Sequence, residues 1–215
     1  DVNLSTCESY IFDFKRFNPL CDMEITSTFK KIRSCSIGLL FGVFLLAGGL
    51  LQAQNIKYVK AGGNGDGSSW SNASGNLQDM IDLVDVQQVW VAAGTYYTEV
   101  RSFTLKNDVA IYGGFPATGN PLLADRNWQV HKTILDGKNE RRVVSNNFTE
   151  AAPLTATAVL DGFVIQNGNG IGETGGGMYN SYASPTLSHI DITNNAAAGA
   201  GGMANWDSSP TLTNV

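Results

Sequence analysis

Two stretches of this chain repeat one another at a fixed spacing, and that repetition constrains the fold more than any other feature. Gly176-Gly177-Met178-Tyr179-Asn180 returns as Gly201-Gly202-Met203-Ala204-Asn205, and Ser184-Pro185-Thr186-Leu187 returns as Ser209-Pro210-Thr211-Leu212, both 25 residues on. Ile134-Leu135-Asp136-Gly137 matches Val159-Leu160-Asp161-Gly162, again 25 apart, and Phe163-Val164-Ile165-Gln166-Asn167 matches Ile190-Asp191-Ile192-Thr193-Asn194 at 27. A fixed period of this size marks a stacked architecture, in which each unit buries its apolar side only against its neighbours.

Within each period the apolar residues alternate, as in Phe163-x-Ile165 and Ile190-x-Ile192, which is strand periodicity. The strands are short, and Gly, Asn, Ser and Pro separate them. Nothing between them is long and amphipathic enough for a crossover helix, which excludes βαβ units. Three short strands and three turns per period predict one coil of a parallel β-helix, with equivalent residues stacked at a strand spacing of about 4.8 Å. Met178 then lies over Met203, Leu187 over Leu212, Asn180 over Asn205 and Asp136 over Asp161. The Met and Leu columns fill the interior, and the Asn column bonds between coils. Strands are also expected at 89–91, 103–105 and 109–112.

A solenoid must cover the apolar end of its first coil. Leu77, Met80, Ile81 and Val84 fall on one face of a helix over 76–84, with Ser74 or Asn76 as N-cap. The fold class expected is therefore all-β, a right-handed parallel β-helix with an N-terminal cap over about 54–88 and coils over about 89–215. Val215 corresponds to Ile190, so the pattern predicts further coils beyond it.

The first fifty residues follow different rules. Lys30, Lys31 and Arg33 precede an uncharged run, Ser34 to Gln54, whose apolar centre is Ile37 to Leu51. A basic cluster, a short apolar stretch and a small exit residue predict a signal peptide over 23–53, cleaved after Ala53, with 1–22 upstream of the working protein. The export signal, or a C-terminal anchor further on, is then the membrane contact expected. Cys7, Cys21 and Cys35 all precede Ala53, so the exported part is expected to have no disulfide. With 14 Lys and Arg against 19 Asp and Glu, the chain is a poor nucleic-acid binder.

Three elements carry a family resemblance. They are Tyr58-Val59-Lys60 through Gly65-Asp66-Gly67-Ser68-Ser69-Trp70; Leu77-Gln78-Asp79-Met80-Ile81 leading into Val89-Trp90-Val91-Ala92-Ala93-Gly94-Thr95-Tyr96; and Ile111-Tyr112-Gly113-Gly114-Phe115. Over residues 56–215 the chain resembles the right-handed parallel β-helix, or pectate-lyase-like, superfamily. Gly175 to Met178 and Ile192 to Asn195 resemble the repeats of polymorphic outer-membrane adhesins. The resemblance implies a secreted or bacterial cell-surface protein. It leaves activity open, because the superfamily holds lyases, hydrolases, tailspikes and adhesins.

For a lyase, the resemblance implies Ca2+ held by carboxylates on neighbouring coils and an Arg or Lys base. Asp136 and Asp161 are the candidate metal pair, and Arg141 and Arg142 the candidate bases. Each Asp also sits in an Asp-Gly turn, where the commoner use of the side chain is to bond its own backbone. His189 and Asp191, two apart on a strand, are a candidate acid-base pair. The Asp-Asp, Gly-His-Gly and Arg-Ile-Lys elements of the pectin hydrolases do not occur. Tyr179, Tyr182 and Trp206 are candidate sugar platforms, since aromatic faces stack on sugar C–H groups. The expected function is therefore adhesin-like binding of a polysaccharide or host-surface glycan, with no catalysis and no cofactor in this stretch. The alternative is a polysaccharide lyase or glycoside hydrolase with its active coils beyond Val215.

Overall fold

A computed structural model of the protein describes residues 55–215. The expected upstream segment and signal peptide fall outside the described residues. Thirteen strands and one short α-helix make up this part, which is all-β. Among the described residues no helix is long and apolar enough to cross a membrane.

The strands are β1 (Ile56–Val59), β2 (Gln88–Ala92), β3 (Gly94–Tyr97), β4 (Ala110–Phe115), β5 (Thr133–Asp136), β6 (Val144–Asn147) and β7 (Val159–Gln166). They continue with β8 (Asn169–Gly170), β9 (Met178–Ser181), β10 (Thr186–Thr193), β11 (Ala196–Ala197), β12 (Met203–Trp206) and β13 (Thr211–Thr213). The largest sheet runs β1-β2-β4-β7-β10-β13, with β3 and β5 joined to it through β7. A second sheet runs β6-β9-β12, and β8 pairs with β11. The ladders between these strands are all parallel.

Three of the expected columns form in the expected register. Met178 pairs with Met203 and Asn180 with Asn205, and Leu187 pairs with Leu212. Val89, Ile111, Leu160 and Leu187 make one continuous aliphatic column. Tyr96, Leu135, Ile165 and Ile192 make another. Their inward side chains join one buried cluster with Val144 and Met178. Each removes apolar surface from water at about 25 cal/mol per Å².

The fourth column does not form. Asp136 pairs with Gln166, and Asp161 pairs with Tyr112 and Ser188. The reason lies in β7, whose first half pairs with β4 and whose second half pairs with β5. Strands β4 and β5 each pair through three residues with successive parts of β7, and the segment 116–132 separates them. Either register points Leu135 inward, so alternation could not distinguish the two. The insertion decides.

Corners are marked by left-handed backbone. Gly162, His189 and Asn214 (φ +84°, +51°, +53°) follow one another in register, as do Asn167 and Asn194 (both +53°), and Tyr182 and Asp207 (+47°, +46°). Asn tolerates this region better than most residues with a Cβ. Asn195 completes a corner by accepting from the Gly168 amide at 2.7 Å and donating to the Ile165 carbonyl at 2.9 Å.

The α-helix of the described residues, α1 (Leu77–Asp82), is capped by Asn76, whose side chain accepts from the Asp79 amide. Leu77, Met80 and Ile81 enter the core beside Val59 and Val89. The helix is shorter than the expected 76–84: Leu83 is extended (ψ 141°), and Lys106 donates to the carbonyls of Asp82 and Leu83. Val84 is thereby left 88% exposed, off the buried face. Segment 103–105 joins the stack without forming a full strand. Phe103 bridges Val144, and the Leu105 amide donates to Asn146.

Candidate functional site

The outward face of β4, β7 and β10 carries a compact polar cluster beneath the segment 116–132. Asp161, on β7, lies at its centre. Arg126 Nη2 donates to Asp161 Oδ1 at 2.7 Å and Nη1 to Oδ2 at 3.2 Å, while Nη2 also reaches the Asp161 carbonyl at 2.8 Å. Arg126 Nε donates to the Gly113 carbonyl at 2.5 Å, and its guanidinium lies over the Tyr112 ring. Gly162 makes room for this: a Cβ there would lie 2.3 Å from the Arg126 guanidinium. His189 Nδ1 is 2.9 Å from Asp161 Oδ1, and the imidazole stacks on Trp128 with centroids 4.6 Å apart. Arg126 and Asp161 side chains are 14% and 15% exposed, and His189 is 28% exposed.

The expected partner of His189 was Asp191, on the strength of strand alternation. The left-handed φ of His189 interrupts that alternation, and its ring reaches across to β7. Asp191 instead pairs with Lys132 at 3.3 Å. Both members of the observed pair, His189 and Asp161, were named from sequence, but as members of different pairs.

Asp136 is buried and fully engaged. Its Oδ1 accepts from the Lys138 amide at 2.8 Å, and its Oδ2 accepts from Gln166 at 2.9 Å and Asn167 at 2.8 Å. Burial raises the carboxyl pKa, but these hydrogen bonds outweigh it and hold the group below the usual carboxylate range. Ca2+ takes about six to eight oxygen ligands. Asp136 spends its oxygens on N–H donors, Asp161 spends its own on Arg126 and His189, and the two stand in different columns. These residues do not fit a shared cation. Among the described residues no group of three or more His, Asp or Glu is placed to hold a metal.

Arg141 and Arg142 serve local packing. Arg141 donates to the Val100 carbonyl and faces Glu140 at 3.9 Å. Arg142 donates to the Thr174 carbonyl at 2.9 Å, pairs with Glu173 and covers the Tyr179 ring at 4.4 Å. Neither has an ion pair with Asp136 or Asp161.

The aromatic candidates point outward. Tyr179 and Trp206 alternate with the inward Met178, Asn180, Met203 and Asn205, so they share the outer face of β6-β9-β12. Trp206 is 66% exposed. Tyr182 occupies a left-handed corner, where the Asp207 charge beside it and a hydrogen bond to that carboxylate push its phenol up.

A cleft of about 560 Å³ opens between α1, β3 and the loop after β3, lined by Asp79, Tyr96, Tyr97, Glu99, Val100 and Arg101 among others. Tyr96 forms its buried wall and donates to the Ala92 carbonyl at 2.9 Å. Burial drives the Tyr96 phenol pKa strongly upward, so it remains a donor. Tyr97 is 45% exposed, with Lys138 Nζ 4.6 Å from its ring centroid and Glu99 paired to the same lysine at 3.1 Å. Arg101 is tied to Asp82.

Sequence reasoning passed over Arg126, Trp128 and Tyr97. The first two lie in the insertion, outside any repeat, and carry no periodic signal. Tyr97 follows an inward tyrosine, so alternation already placed it outside. Compared with protein-family models, curated proteins and solved structures, the chain gives no match.

Proposed function

We propose that residues 55–215 form a right-handed parallel β-helix with an N-terminal cap, in an exported or cell-surface protein, and that the cleft beside Tyr97 binds a polysaccharide or cell-surface glycan. The recurrence of one register through β4, β7, β10 and β13, with matching columns in β6, β9 and β12, supports the solenoid. Right-handedness follows from the near-universal hand of parallel crossover connections. The buried face of α1, packed against β1 and β2, supports a capping role. Export rests on the basic and apolar pattern before Gln54.

The observation that carries the glycan reading is Tyr97. A half-exposed ring forms the wall of a cleft of ligand size. Lys138 lies over one face of the ring, which leaves the other face for sugar C–H groups, and Asp79, Glu99 and Arg101 supply polar partners for hydroxyls. Trp206, 66% exposed on β12, offers a second platform, whereas Arg142 covers the Tyr179 ring.

Affinity electrophoresis of the full chain through gels containing neutral or acidic polysaccharides tests the reading. At least one polysaccharide is expected to retard the chain. Tyr97→Ala is expected to weaken retention about tenfold, the scale of one lost aromatic stack of about 1.5 kcal/mol. No retardation in any gel, or equal retention of the variant, overturns it.

A further inference from the structure

The charges around the Tyr97 cleft are unequal in what they leave open. Of the lining residues only Asp79, Glu99 and Arg101 are charged. Two of these already have partners: Arg101 pairs with Asp82, and Glu99 pairs with Lys138 at 3.1 Å. Asp79 is exposed on α1, and among the described residues no cation pairs with it. Three carboxylates, Asp79, Asp82 and Glu99, thus meet two cations, Arg101 and Lys138. The surplus is negative, and it resides on a side chain that lines the cleft. The Tyr97 ring adds the same sign, because the face of an aromatic ring is the negative end of its quadrupole. Lys138 already exploits one face, with Nζ 4.6 Å from the centroid.

This pattern separates glycan classes by charge. A uronate entering the cleft must break the Arg101–Asp82 or Lys138–Glu99 pair to reach a cation, and it meets Asp79 as a like charge. A protonated amine meets Asp79 and the open face of Tyr97 without displacing anything. We propose that the cleft, on the glycan reading on which this inference rests, takes amino sugars whose amines are protonated, and that Asp79 is the residue that sets this preference. A carboxylate in the first turn of a helix also suits the helix N-terminus. That role concerns the stability of α1 and is blind to the charge of a ligand.

The test titrates the full chain by calorimetry with two tetrasaccharides, β-1,4-linked glucosamine and its fully N-acetylated counterpart, in mildly acidic buffer. The two share linkage, length and hydroxyls and differ in the charged amine. The glucosamine tetramer is expected to bind about tenfold more tightly, the scale of an exposed ion pair and an exposed cation–π contact together. The preference is expected to shrink in 1 M salt, where charges are screened within about 3 Å. Asp79→Asn is expected to weaken the glucosamine tetramer about threefold to fivefold and leave the acetylated one unchanged. A merely structural role for Asp79 would move both alike. Asp207→Asn removes the same charge from a left-handed corner after β12, where Asn is suited and which does not line the cleft. It is expected to leave the preference intact. Equal or tighter binding of the acetylated tetramer, no binding of either, or an Asp79→Asn variant that keeps the wild-type preference overturns the proposal. Retention of a polysaccharide that Tyr97→Ala weakens would survive each of these results, so the glycan reading and the amino-sugar assignment fail separately.

Discussion

Asn180 offers the sharpest test of the stacked interior. Its side chain is fully buried, accepts from Asn146 Nδ2 at 2.9 Å and donates to Asn205 Oδ1 at 2.8 Å. Asn146, also fully buried, accepts in turn from the Leu105 amide at 2.9 Å. Asn180→Ala removes two neutral hydrogen bonds, worth about 1 kcal/mol each. It also strands the Asn146 Nδ2 donors away from water, at about 1–3 kcal/mol. The expected loss is therefore about 3–5 kcal/mol, measured as the shift in urea midpoint at constant slope. Asn205→Ala is the internal control. Asn205 is exposed, so water replaces what the substitution removes, and the expected cost is about 1 kcal/mol. In the double variant Asn146→Ala/Asn180→Ala the two changes share one hydrogen bond, so their combined cost falls short of the sum. Equal losses for Asn180→Ala and Asn205→Ala, or a loss below about 1 kcal/mol for the former, would refute the idea that an interior amide column ties these levels together.

Asp136 predicts a pH dependence. Its carboxyl sits below the ordinary range when folded, so its contribution is present above the unfolded carboxyl value of about 3.9 and is lost as pH falls through the lower folded value. Asp136→Asn offers one acceptor oxygen to three donors, so it is expected to be less stable at pH 7 and flatter in acid, with the two stability curves converging as pH drops. Arg126→Met removes the cation from a mostly buried pair and frees a tie on the 116–132 segment. The expected cost is about 2 kcal/mol, discounted from a fully buried pair, and limited proteolysis is expected to cut within 116–132 sooner than in the wild type.

The columns were legible because repetition and alternation act together. Met178, Asn180 and Leu187 could be assigned partners 25 residues away, since any one-residue slip would turn an apolar residue outward. The Asp136 partner was not legible. The match between 134–137 and 159–162 is real as sequence, yet left-handed Gly162 breaks the alternation of β7, so Leu160 and Ile165, five residues apart, both face inward and either suits Leu135. The length of the 116–132 insertion sets the register instead. The helix end at Asp82 was missed for a related reason. Val84 continues the apolar spacing, but tertiary bonds from Lys106 to the terminal carbonyls stop the helix first. The His189–Asp161 pair was hidden because alternation presumes extended backbone, and nothing in the repeat announces a left-handed histidine.

That failure also points to the Asp161 cluster. In a stack of matched levels each side chain is answerable to the levels above and below, and a residue with unusual demands disturbs both. The insertion 116–132 escapes this constraint, since no other level must match it. It returns over the outer face and brings Arg126 and Trp128 onto the corner column of Gly162, His189 and Asn214. The corner at Gly162 admits the guanidinium because it has no side chain, and the next corner, at His189, supplies the ring that Trp128 covers. A single insertion thus converts a backbone requirement, a left-handed turn repeated level by level, into a positioned Asp–His pair. The turn itself asks only for a residue that tolerates left-handed backbone; Asp161 and Trp128 are what engage the imidazole there.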